Sequence, residues 1–145
     1  MRALPVFATI GIVSAGLAAT QLIARDPKNE AAAELSADGQ TFGDGAKVAG
    51  PAKTCVPLNQ IRNSHVLSDR VIDFDNGTRS STTYRVVLPQ GCPQLGFEQR
   101  FAYETSLTQL CAQDIITVLQ SPGITRGASC GLAAFQPITP APRRK

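Results

Sequence analysis

The chain has 145 residues, four cysteines and a formal net charge of +3, a length that admits one ordinary domain and is short for two. The charge excess belongs to the tail. Residues 1–53 carry five cations and five acids, residues 54–136 carry six arginines against six acids and no lysine, and Arg143, Arg144 and Lys145 supply the rest. A nucleic-acid binder is expected to show a basic face on its folded domain, so the composition argues against nucleic acid as a partner.

The N-terminus reads MRALPVFATIGIVSAGLAATQLIARDPKNE. Arg2 is a short positive n-region, and Leu4 to Ala24 carries no charge. Small residues crowd its second half, and Gly16-Leu17-Ala18 offers a small-x-small cleavage site. Residues 1–24 therefore read as a signal peptide for export. Their length also suffices for an apolar helix that stays as an anchor, since a hydrocarbon core is about 30 Å thick. Cleavage is the preferred reading, with retention in the membrane as the alternative. No cysteine lies near the end of the run, which excludes a lipid-modified N-terminal cysteine.

Residues 25–53 are rich in Gly, Ala, Asp and Lys, with Phe42 as the lone aromatic. Such a stretch is expected to be a disordered linker, because it has little apolar surface to offset its ordering entropy. From Gln60 to Leu88 the pattern changes to a period of two. Ile72 and Phe74 alternate with Asp73 and Asp75, and Tyr84, Val86 and Leu88 alternate with Arg85 and Val87. This predicts two half-buried antiparallel strands. Asn76-Gly77 lies between them as a hairpin signal. An odd-numbered loop, such as Asn76-Gly77-Thr78, places Tyr84 on the face of Ile72 and Phe74. An even-numbered one places it with Asp73, and a one-residue slip turns every side chain over. The odd loop is preferred, with Gly77 left-handed.

Phe97, Phe101 and Tyr103 alternate as a further strand. Thr105 or Ser106 is placed to cap a short helical turn carrying Leu107, Leu110 and Cys111 at helical spacing. IITVL after Asp114 has strand length, Ser121-Pro122-Gly123 breaks it, and Ala128 to Phe135 returns as a last strand. The expected fold is mainly β. Residues 54–136 would form a small antiparallel barrel or roll of five to six short strands with one helical turn. Residues 137–145, PITPAPRRK, would be a disordered basic tail.

The cysteines lie at 55, 92, 111 and 130, with no close pair and no C-x-x-C. Zinc sites normally show ligands two to four residues apart, and thiol–disulfide exchange uses C-x-x-C, so both chemistries are disfavoured. An even count in a small exported domain points to two structural disulfides. Nested pairing, Cys92–Cys111 within Cys55–Cys130, is preferred because Cys55 opens the folded unit and Cys130 nearly closes it. Sequential pairing, Cys55–Cys92 and Cys111–Cys130, is the alternative.

The series C-V-P-L-x-x-I, D-R-x-I-x-F, C-P-x-L, L-C-x-x-D-I-I-T-V and C-G-L-x-x-F resembles small exported proteins of Gram-negative bacteria, many from sphingomonads, classed as a domain of unknown function. The resemblance covers about residues 54–136. It implies export and a disulfide-bonded β-domain, and it brings no activity, cofactor or catalytic residue.

Two constellations invite a chemical reading. His65, the only histidine, would serve as a general base or pH sensor, with Asp69 as a neighbour and Ser64 and Ser68 close in sequence. Asp69, Asp73 and Asp75 fall within seven residues. Asp73 and Asp75 share a strand face and would address a cation or form a paired-carboxylate centre. The bland readings are an exposed strand histidine and a solvated acidic face neutralised by Arg70, Arg79 and Arg85. No phosphate loop, H-E-x-x-H or G-x-S-x-G is present. No cofactor, metal site or catalytic residue is assigned. The functional expectation is an exported, periplasmic β-domain that binds or scaffolds. The alternatives are a membrane-anchored accessory subunit of an envelope complex, or a periplasmic enzyme using His65 or the aspartates.

Overall fold

The computed structural model describes residues 30–78, 82–105 and 107–142. The apolar N-terminal run, the start of the linker, Arg79 and the three terminal cations lie outside the described residues. Among the described residues ten short strands run in chain order as β1 (Lys47–Val48), β2 (Cys55–Pro57), β3 (Asn63–Val66), β4 (Val71–Asp75), β5 (Thr83–Val87), β6 (Phe101–Tyr103), β7 (Gln109–Cys111), β8 (Ile115–Gln120), β9 (Thr125–Gly131) and β10 (Phe135–Thr139). A 3-10 turn, Leu58–Gln60, follows β2, and a one-turn helix, α1 (Leu95–Glu98), precedes β6.

The fold is mainly β, as expected, but no sheet closes into a barrel. The strands form three open antiparallel sheets ordered β1-β10-β5-β4-β3, β2-β7 and β6-β8-β9. Among the described residues no helix is long and apolar enough to cross a membrane.

Strands β4 and β5 pair as the alternation requires. Ile72 lies opposite Val86, Asp73 opposite Arg85 and Phe74 opposite Tyr84. Tyr84 therefore shares the face of Ile72 and Phe74, as the odd loop demands. The loop is longer than the Asn-Gly signal implies: Asp75 ends β4 and Thr83 begins β5, so seven residues connect them rather than three. The four-residue difference is even and leaves every side chain on its face. Gly77 has φ +80°, the left-handed conformation that glycine adopts without cost.

The core forms on this face. Ile72, Phe74, Tyr84, Val86 and Phe135 meet Ile116 and Val118 of β8, with Leu95 and Leu110 among the other buried residues. Phe74 packs edge-on against Phe101 at 6.1 Å and against Phe135 at 5.8 Å between ring centroids. Strand β8 alternates, with Ile116 and Val118 buried and Ile115 exposed.

Three local expectations change. Phe97 does not begin a strand; it lies in α1, between Gln94 and Gln99, both at positive φ, and β6 starts only at Phe101. The helical turn expected near Leu107–Cys111 is strand β7, because Gln109–Cys111 finds a backbone partner in β2. The last strand is two strands, β9 and β10, separated by residues 132–134.

The largest difference lies in residues 30–53, expected as part of the disordered linker. Leu35 bridges Phe42, Thr41 bridges Lys47, and β1 adds to the edge of the five-stranded sheet beside β10. Phe42 and Ala46 form a second small core with Ile138, flanked by Val48 and Val87. Gly43 passes so close to the arm's own backbone that a Cβ there would meet the Ala31 carbonyl oxygen at 2.6 Å. The segment is ordered by burial against a sheet rather than by its own propensity.

All four cysteines are disulfide-bonded, and the pairing is interleaved: Cys55–Cys111 and Cys92–Cys130. Neither nested nor sequential pairing occurs. Cys55 and Cys111 are register partners across β2 and β7, with Cα atoms 4.0 Å apart. Cys92–Cys130 ties the 89–93 loop to β9.

Candidate functional site

The acidic stretch 69–75, which ends in β4, is where the sequence points, and the structure gives Asp69, Asp73 and Asp75 three separate tasks. Asp73 lies on the face away from the main core, opposite Arg85. Its two carboxylate oxygens accept from Arg85 Nε and Nη2, both at 2.8 Å. Asp44 accepts from Nη1 at 2.9 Å and Nη2 at 2.8 Å, and the Ala32 carbonyl accepts from Nη1 at 3.3 Å. All five N–H donors of a guanidinium are thus engaged. The Phe42 ring stacks over it, 4.8 Å from Cζ to the ring centroid.

This cluster is buried. Arg85 is 2% exposed and Asp73 8%, so the solvated acidic face expected from the alternation is in fact covered by residues 32–48. Burial disfavours the Arg85 cation, but the hydrogen bonds it donates to Asp73 and then Asp44 outweigh it and hold its pKa above the ordinary arginine value. Burial likewise raises the Asp44 carboxyl. The hydrogen bond from Arg85, followed by that from the Ala46 N–H, prevails and leaves it below the usual value of 3.8. Asp73 and Arg85 are the two members visible in the sequence as a cross-strand pair. Asp44 and the Phe42 lid were missed, and the only signal for them was one aromatic in an otherwise small-residue segment. With every donor committed and little solvent access, the cluster is a latch that holds the arm on the sheet.

Asp75 is turned toward the open edge. It accepts from His65 Nε2 at 3.2 Å, Asn63 Nδ2 at 3.3 Å and the Gly77 N–H at 2.6 Å. The carboxylate partner of His65 is therefore Asp75, not Asp69. The imidazole is over half exposed. Ser64 neighbours it along β3 and so projects to the other face. The Ser68 hydroxyl accepts the Arg70 N–H at 3.1 Å and is buried. The local serines do not assemble a nucleophile–base–orienter set.

Asp69 stands at the other end of β4. Its Oδ1 accepts the Gly96 N–H at 2.8 Å, and its carbonyl accepts the Cys92 N–H at 2.7 Å, so it seats the loop that leads into α1. The three aspartates thus diverge: one in the latch, one in the β4–β5 turn, one at the α1 loop. Among the described residues no three His, Cys, Asp or Glu side chains are grouped to hold a metal ion.

Open clefts flank the domain. One of about 480 Å³ lies between Pro89–Gly91, Pro93 and the end of β9 at Ser129–Gly131. Another, of about 350 Å³, is lined by Tyr103, Glu104, Asp114 and Arg126. Arg126 there pairs with Glu104 at 2.9 Å. Asp114 is committed to the Cys111 N–H at 2.7 Å. Neither cleft receives His65 or an aspartate of β4. No family model, curated protein or solved structure matches the chain.

Proposed function

We propose that this chain is an exported β-domain of the bacterial periplasm that acts by binding or scaffolding rather than by bond-making chemistry. The observation that carries the reading is the double cross-link: every cysteine is committed to a disulfide, a state that persists in oxidising compartments and is rare in the cytosol. The apolar run Leu4–Ala24 supplies the route of export, and the resemblance to small exported proteins of sphingomonads points the same way. The arrangement of His65 and the aspartates supports this over an enzyme. Each of these groups is bound into a turn, an edge or the latch, and they do not converge on one cleft.

Fractionation of the producing cells, with intact-mass measurement and non-reduced peptide mapping, tests the reading. The protein is expected outside the cytosol, with peptides linked 55 to 111 and 92 to 130. A cleaved signal removes about 18–24 residues, and a full-length mass in the membrane fraction identifies an anchor. Cytosolic protein with four free thiols overturns the proposal.

A further inference from the structure

The first described residue, Glu30, lines a cleft with Asp69, Arg70, Gly91 and Pro93. This marks the end of the molecule from which the chain leads back to its apolar run. Only five residues, Arg25 to Asn29, separate Ala24 from Glu30. At no more than about 3.6 Å per residue they span about 18 Å. If the run stays in the bilayer, this end of the domain is held against the lipid surface. The linker of 29 residues suggested by composition would have imposed no such constraint.

The same end carries the two most exposed large apolar side chains among the described residues. Phe97 is 86% exposed and Ile124 80%. Phe97 follows Gly96, whose N–H is held by Asp69 beside the cleft of Glu30. Ile124 lies in the turn joining β8 to β9, and that turn is pinned to α1. Glu98 accepts the Ser121 N–H at 3.1 Å, Gln120 donates to Gln94, and Arg100 donates to the Ser121 hydroxyl. Two apolar tips thus stand on neighbouring, mutually braced turns. Arg70 and Arg100 are exposed at this end, but the acids Glu30, Asp69 and Glu98 stand beside them, so it is the two apolar tips, not a basic face, that suit this end to a lipid interface.

We infer that the end bearing Phe97 and Ile124 is a membrane-docking surface, on which the domain rests against the bilayer that holds its N-terminal run. The inference deepens the reading of an exported domain and rests on retention of that run. Docking places the two side chains at the headgroup–acyl boundary, about 5–10 Å deep. It also fixes the far end outward. Strand β4 runs five residues from this end, about 17 Å, so the β4–β5 loop with Thr78 faces away from lipid.

The chain has no tryptophan, so one introduced ring reports on its own site. The full-length variants F97W, I124W and T78W are reconstituted into phosphatidylethanolamine–phosphatidylglycerol vesicles with and without brominated acyl chains. The bromolipid is expected to lower F97W and I124W emission roughly twofold, as contact at interfacial depth requires, and to leave T78W unchanged. A chain that sediments with the vesicles but shows F97W and I124W no more quenched than T78W overturns the docking surface and leaves export untouched. A blue-shifted F97W before lipid is added means that a second copy of the chain covers the site, and also overturns it. A chain that stays in solution overturns docking together with retention, while export keeps its own test by compartment.

Discussion

The two faces of strands β4 and β5 are built from the same alternation and are buried by different means. On one face Ile72, Phe74, Tyr84 and Val86 enter the main core and meet β8. On the other, Asp73 and Arg85 are almost as inaccessible, yet their cover is a segment of small and polar residues, 32–48. The first face is stabilised by apolar area removed from water, which needs no particular partner. The second is tolerable only because each charge and donor is matched. Burying ions costs several kcal/mol apiece unless geometry and hydrogen bonds repay it. A polar strand face is therefore weak evidence of exposure when an arginine stands directly across from an aspartate.

Removing the arginine should break the comparison most severely. In Arg85→Met the side chain still fills much of the volume, but Asp73 and Asp44 lose their common cation. A loss of about 3–5 kcal/mol is expected, as for an uncompensated buried charge, read as a lower denaturation midpoint. The triple variant that also replaces Asp73 and Asp44 with Asn should recover part of it. A single Arg85→Met that unfolds like the native protein would mean that the arm does not bury the pair in solution.

Phe42→Ala addresses the lid instead of the charges. Phe42 caps the guanidinium and fills the small core with Ala46 and Ile138. About 3 kcal/mol is expected, at the low end for a buried phenylalanine because the thin cover can collapse. Hydrogen exchange should locate the effect. Amides of the arm, such as Val48, whose N–H bonds to the Gln40 carbonyl at 2.9 Å, should exchange faster, while β5 and β8 keep their protection. Equal acceleration everywhere would show that arm and core unfold as one unit.

These variants mark the limit of what was legible in the sequence. The faces of β4 and β5 were readable because parity alone decides them, and parity survived a four-residue error in loop length. The register itself was not, since it also depends on β10 pairing with β5 and β3 pairing with β4. The cysteines announced disulfides but not their partners: Cys55 meets Cys111 only because β2 pairs with β7, two strands of three residues with no period to read. The arm was hidden for a related reason. Its order comes from Ala32, Phe42 and Ala46 against a distant sheet, and long-range burial leaves little local pattern. Phe97 was assigned to a strand by its spacing from Phe101, whereas the positive φ of Gln99 turns the chain between them.

Acid should separate the two faces without mutation. Asp44 has its pKa lowered in the fold: burial acts against this, and the Arg85 hydrogen bond prevails. A depressed carboxylate contributes its stability in full above the unfolded value of about 3.9 and loses it as pH falls through the folded value. The arm amides should therefore lose protection as pH drops below about 4, before the apolar core does. The reporter is the Ala46 N–H, which donates to Asp44 at 3.1 Å. Asp44→Asn should abolish this pH dependence and leave the arm equally loose at both ends of the range. Protection of Ala46 that is flat across the transition in the native chain would remove Asp44 from the latch.

The smallest effect is expected at the open edge of the same sheet, where β3 presents His65 to solvent. His65 and Asp75 meet at 3.2 Å, but the imidazole is 55% exposed. A pair so placed is screened by water and by salt and contributes between about 0 and 1 kcal/mol. Asp75 also retains Asn63 and the Gly77 N–H when the imidazole is gone, so no buried acceptor is orphaned. His65→Ala should consequently change stability by no more than about 0.5 kcal/mol, the range of ordinary surface substitutions. The variant should keep both disulfides, its export and any phenotype of the native chain. The contrast with Arg85 is the informative part, because the two residues pair with aspartates two positions apart on one strand face. What separates them is cover: the arm lies over Asp73 and water over His65. A His65→Ala protein with native stability but a lost phenotype would place function at this edge and reinstate the imidazole as a working group.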